Sequence, residues 1–154
     1  MPKNNQWAAV LTRLMNREVP VYIHLAASKN GEPPFTCRGY GVCVDERDGR
    51  IRVAVLASQW RRLREYGGDR QKLAVLATAG TDNESYQIKG GLVECREIAE
   101  EDRNVLERQR ALTARHFPGL LPLVNVRSAD CVALGLRVDR VFVQTPGPLA
   151  GSPL

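Results

Sequence analysis

Two short turns constrain this chain more than any other feature. Asn30-Gly31 and Asp48-Gly49 each stand between strand-like segments. Such pairs supply the positive φ angles that tight hairpins need. The segments they join are VYIHLAAS (21–28), FTCRGYGVCV (35–44) and RIRVAVLA (50–57). Two-residue hairpins can only connect antiparallel neighbours, whereas parallel strands need a long crossover. No glycine fingerprint of a dinucleotide-binding fold follows the first strand.

The rest of the chain extends this pattern. KLAVLAT (72–78) is apolar on both faces, as a central strand would be. SYQIKGGLVEC (85–95) alternates, and Gly90-Gly91 predict a bend. CVALGLRV (131–138) is a sixth strand whose alternation slips at Asp139-Arg140 and resumes in VFVQ (141–144), which predicts a bulge. Gly39 and Gly41 predict a bulge or a close approach by another group. Helical spacing of Trp7, Val10, Leu11, Leu14 and Met15 predicts a helix over 5–17, capped by Asn4 or Asn5. SQWRRLREY (58–66) reads as a short helix with Ser58 as its cap and Gly67-Gly68 at its end. A long helix over 99–116 carries Glu100, Glu101 and Asp102 first and Arg108, Arg110, Arg115 and His116 last, in accord with the helix dipole. The expectation is a mainly β chain with flanking helices: a six-stranded antiparallel split barrel of Greek-key type. Residues 1–144 form one domain, and 145–154 form an irregular tail rich in Pro and Gly.

With 154 residues, 44% apolar and 25% charged, the chain can bury one real core. No apolar run is long enough for a membrane span. The N-terminus lacks the pattern of a signal peptide, which sets a cytoplasmic location as the expectation. Cys37, Cys43, Cys95 and Cys131 form no CxxC and have no histidine near them, so no metal site is expected. They read as reduced, mostly buried thiols, with Cys37 and Cys43 on one strand face. His24 lies mid-strand on the polar alternation and reads as a structural residue or, alternatively, a neighbour of a cofactor or a haem ligand. His116 is accounted for by helix capping. No Ser-His-Asp spacing or paired-carboxylate motif stands out.

The net charge of +5 has a focus. SQWRRLREYGGDRQK (58–72) holds Arg61, Arg62, Arg64, Arg70 and Lys72 against only Glu65 and Asp69. A nucleic-acid patch, a phosphate cradle and a solvated helix face are the competing readings. Nucleic acid is disfavoured, because Trp60 and Tyr66 do not share a helical face with each other. A phosphate is chemically sensible where a strand runs into a helix. Ser58 offers a hydroxyl there, and Arg61 and Arg62 offer forked donors.

The order of elements, with RIRVAVLASQWRR, YQIKGGLVE and ARHFPG as its closest local matches, resembles the pyridoxamine 5′-phosphate oxidase-like flavin-binding split barrels over nearly the whole chain. The resemblance implies a homodimer with FMN at its interface. It places the flavin ring along Arg52, Val53, Ala54 and Val55, and the phosphate against Ser58, Arg61 and Arg62. Gln87 is implied as a polar contact to the ring or ribityl chain. The activity implied is oxidoreduction of a small organic substrate or a reduced nicotinamide. The alternative on the same barrel is non-catalytic binding of haem or another anionic small molecule. The ending DRVFVQTPGPLAGSPL lacks the arginine and histidine pattern that pyridoxamine phosphate oxidases proper use for substrate, so that reaction is not implied.

Overall fold

The computed structural model describes residues 5–29, 31–66 and 71–154. Asn4, Asn30, Gly67-Gly68 and Arg70, with the expectations attached to them, lie outside those residues.

Strands β1 (Val21–Ala27), β2 (Phe35–Asp45), β3 (Arg50–Leu56), β4 (Lys72–Ala79), β5 (Ser85–Glu97) and β6 (Cys131–Val143) close into a barrel in the order β1-β2-β3-β6-β5-β4. Every neighbouring pair is antiparallel. Strand β4 returns beside β1 after three consecutive strands, which is the Greek-key arrangement. The expected fold class is therefore what the chain forms. Asp48-Gly49 turns between β2 and β3 with Gly49 at φ +65°, a conformation in which any other side chain would be strained. No helix among the described residues is long and apolar enough to cross a membrane.

The barrel interior is filled by Ile23, Leu25, Ile51, Val53, Val55, Val75, Ile88, Leu134 and Leu136, all essentially buried. A barrel of this strand number is only wide enough for its own side chains. Helix α1 (Gln6–Met15) lies across the end that holds the β2–β3 and β4–β5 hairpins, adding Leu11, Leu14 and Met15 to the core. Arg13 and Arg17 tie it to Asp82 and Glu84 of the β4–β5 hairpin. Helix α2 (Ala57–Leu63) follows β3 at the other end and contributes Leu63.

Helix α3 (Glu100–His116) rests on the outside of β2, and the bulge predicted at Gly39 and Gly41 is what lets it. Gly39 pairs with Val55 and Gly41 with Ala54, so Tyr40 is the extra residue. A Cβ on Gly41 would stand 2.5 Å from Cγ1 of Val105, so only glycine allows α3 this close. The bulge also corrects the expectation that Cys37 and Cys43 share a face. The extra residue reverses the alternation, so Cys37 joins the core while Cys43 turns out and donates to Asp102 Oδ1 of α3 at 3.6 Å. The second predicted bulge is present too: Lys89 pairs with Arg140 and Gly90 with Val138, leaving Asp139 unpaired.

Two local expectations are corrected. Leu56, not Ser58, occupies the N-cap of α2, because β3 stays extended to that point and the helix opens at Ala57. Asn5 is at the N-cap of α1, but its amide donates to the Glu46 carbonyl instead of capping. The Pro- and Gly-rich tail forms turns and one isolated bridge, packed against β6. A turn over residues 146–151 brings it back along β6, where Val143 N donates to Ser152 O, Gly151 N to Val143 O and Leu154 N to Val141 O. Strand β3 pairs with β6 only as far as Arg137, so the later half of β6 has an open edge for the tail to cover. His116 bonds the Glu18 carbonyl at 2.8 Å and thereby ties the end of α3 to the loop before β1.

Gly41→Ala should cost about 1–3 kcal/mol in urea unfolding through overpacking, and Val105→Ala in the same chain should restore part of it. Glu84 supplies a pH test. Burial pushes its carboxyl upward, but hydrogen bonds from Arg13 and Tyr86 outweigh that, and its net pKa lies below the ordinary 4.5. A depressed carboxylate stabilises the fold above its unfolded pKa, and that contribution is lost as pH falls through the folded value. The melting temperature should drop on acidification through this range, and Glu84→Gln should flatten the drop.

Candidate functional site

The junction of β3 and α2 carries the charge anticipated from the sequence. The Ser58 side chain is exposed and makes no capping bond, so its hydroxyl is available to a ligand. Arg61 is exposed. Arg62 lies with its guanidinium carbon 4.8 Å from the centroid of the Phe35 ring, which itself stacks on Tyr66 at 5.7 Å. This stack orients the Arg62 side chain while leaving its donors outward. Among the described residues, neither Arg61 nor Arg62 has a carboxylate within ion-pairing distance. The structure thus brings Ser58, Arg61 and Arg62 into one short helix with their charge uncompensated.

The β3 residues are placed differently. Val53 and Val55 point into the barrel and are fully buried, and Ala54 is 5% exposed. Arg52 points out, but Glu101 and Asp102 at the start of α3 hold it. Asp102 is 3% exposed and also accepts from the Ala99 amide at 3.0 Å and faces Arg96 at 3.4 Å. A buried carboxylate with this many partners reads as a structural clamp between β3, β5 and α3. The acidic start of α3, legible as a dipole match, has this second role.

Gln87 lies apart from α2. It sits opposite Phe142 near the end of β6, whereas Leu56, which leads into α2, sits opposite Cys131 at the start of β6. Across the strands, Gln87 shares a row with Leu76 and His24. This outer face of β1, β4, β5 and β6 carries His24 exposed and Leu76, Gln87 and Phe142 half-buried. Burial lowers the pKa of His24 and the neighbouring Arg38 guanidinium lowers it further, so the imidazole is neutral at pH 7.

The thiols are not poised for chemistry. Burial pushes Cys37 and Cys131 up to about 11 and Cys43 to about 12, so each stays protonated at neutral pH. Cys95 is the exposed member. No group of His, Cys, Asp or Glu arranged to hold a metal occurs among the described residues.

Reading the sequence missed Phe35 and Tyr66 as the support of Arg62. Nothing in the spacing of Phe35 and Arg62 announces their contact, which only the closed barrel creates. It also passed over Arg140, whose one visible sign was the slip in alternation beside it.

No protein-family model matches the chain, and no curated protein matches it. Solved structures do. HupZ of Group A Streptococcus superposes with a TM-score of 0.53 at 15% identity, over 93% of this chain and 98% of that one. General Stress Protein 26 of Bacillus anthracis superposes at 0.51 with 12% identity, over 91% and 95%. A candidate pyridoxamine 5′-phosphate oxidase of Lactobacillus delbrueckii superposes at 0.50 with 12% identity, over 92% and 98%. Near end-to-end superposition at such low identity means that the strand order and barrel are shared while most side chains are not. The chain therefore has the fold of the pyridoxamine 5′-phosphate oxidase-like split barrels.

Proposed function

We propose that this protein binds FMN and serves as a flavin-dependent oxidoreductase for a small organic substrate or a reduced nicotinamide. The observation that carries the reading is the uncompensated trio of Ser58, Arg61 and Arg62 at the strand-to-helix junction. Arg61 and Arg62 supply forked, charge-assisted donors to a terminal phosphate, and Ser58 supplies a hydroxyl donor. Phe35 and Tyr66 hold Arg62 in place, so less side-chain freedom is lost on binding. FMN, when bound, supplies the hydride or electron chemistry, and the chain's part is to hold and orient it. Arg52, Val53, Ala54 and Val55 contribute as the rigid strand that ends at the phosphate grip, since their side chains are committed to the core and to α3.

The placement of Gln87 supports a homodimer. Within one chain it stands at the other end of β6 from α2, so a flavin gripped at α2 meets a Gln87 supplied by a second copy. The half-buried Leu76 and Phe142 beside it give that copy an apolar surface to cover. The protein is proposed to act in the cytoplasm.

A second reading, haem binding without turnover, has one observation in its favour. The neutral imidazole of His24 lies on the open face beside Arg38, a ligand and a propionate partner of suitable chemistry.

Titration with FMN followed by flavin fluorescence tests the grip. Arg61→Ala with Arg62→Ala should weaken affinity by roughly ten- to a hundredfold while the melting temperature stays within a few degrees. Unchanged affinity would overturn the assignment. A Soret band in the purified protein that is lost in His24→Ala would favour haem.

A further inference from the structure

On the outer sheet face, formed by residues other than Ser58, Arg61 and Arg62, lies a cleft of ≈ 450 Å³ bounded by β1, β4, β5 and β6. Its volume is in the range of small-molecule sites. The cleft exists because one row across the sheet runs Ala26, Ala74, Lys89, Arg140. Two alanines leave the floor low and apolar, and two cations rise beside it.

The charge arrangement is unfavourable for the chain alone. Lys89 and Arg140 are direct cross-strand partners, and like charges placed so repel each other. The nearest acid does not relieve them. Asp139, pushed out by the bulge, is turned to Lys72, with Oδ2 and Nζ 2.7 Å apart. Lys89 instead lies over the Phe142 ring, its Nζ 5.4 Å from the centroid. Among the described residues, Arg140 has no carboxylate partner. Lys89 and Arg140 thus face the cleft without an acid of their own, since Asp139, which also lines it, is paired with Lys72 at its wall.

We propose that this cleft binds a small organic anion, a carboxylate or phosphate monoester with a compact apolar body. The anionic group bridges Lys89 and Arg140, which removes their repulsion. The apolar body lies on Ala26 and Ala74 against the Pro34 ring. The Ser28 hydroxyl at the rim adds one hydrogen bond. Binding here stands or falls separately from flavin binding, because the two sites share no side chain.

The test is calorimetric titration of the full chain with phenyl phosphate and with benzoate, each repeated with FMN present. Binding of either probe by the unaltered chain, retained with FMN present, is expected; which binds better separates phosphate from carboxylate. Lys89→Ala with Arg140→Ala should weaken it roughly tenfold or more, and Arg61→Ala with Arg62→Ala should leave it unchanged. Ala74→Phe, which fills the floor and alters no charge, should also abolish it. Removing the repelling pair should hold or raise the melting temperature, so lost binding cannot be put down to unfolding. Absence of binding in the unaltered chain would overturn the proposal. So would equal affinity in the Lys89/Arg140 variant, or a loss that follows Arg61 and Arg62, which would put the probe in the phosphate grip.

Discussion

Closure of the sheet is the constraint on which the rest depends. Strand β6 performs it by pairing with β3 through its first half and with β5 along its length. Closure, completed by the tail along late β6, covers the strand edges, and it also fixes the interior diameter. Six strands enclose only enough room for Val, Ile and Leu side chains, and these fill it. Any ligand must therefore bind outside, on a rim or an outer face. The two sites inferred here obey that rule: one lies where β3 leaves the barrel for α2, the other on the sheet face that the helices leave open.

The same geometry sorts the cations. The chain's excess of basic residues is modest, and several arginines are spent on holding elements together. Arg13 and Arg17 fasten α1, Arg52 and Arg96 converge on Asp102, and Arg108 and Arg110 bond backbone carbonyls beside α3. Arg61 and Arg62 on α2 and the Lys89–Arg140 pair have no such work among the described residues. Net charge by itself speaks of long-range attraction. What speaks of a site is a cation held by apolar contacts, as Arg62 is on Phe35, or kept beside another cation at a cost.

The sequence revealed the β elements well because their signals are local. Turn dipeptides, alternation and paired glycines each act within a few residues; one bulge shows as a break in period two at Asp139-Arg140, the other only through Gly39 and Gly41. What it hid was long-range or off by one residue. The bulge at Tyr40 turns Cys43 away from the face of Cys37, although their even spacing suggests otherwise. Ser58 has the chemistry of a cap, but the extended backbone at Leu56 decides where the helix opens. Arg52 looked available to a ligand because Glu101 and Asp102 are far from it in sequence. The docking of the tail was hidden as well, because its partner, the uncovered edge of late β6, exists only once β3 has stopped at Arg137.

Gln87 shows how far the site itself could be read. Its face on β5 follows from alternation, and its polar chemistry suits a cofactor. Its distance from α2 does not follow from anything local, since it depends on how β6 carries the register from one end of the barrel to the other. By the register along β6, Gln87 and the Arg61–Arg62 grip stand opposite different ends of that strand. Either they meet across two copies or they serve different ligands. The row beside Gln87 bears on that choice. Lys89, two residues along the same face, lies over the Phe142 ring beside the proposed anion cleft, so a second copy placed over Leu76 and Phe142 would bring one chain's proposed flavin grip near the other chain's cleft.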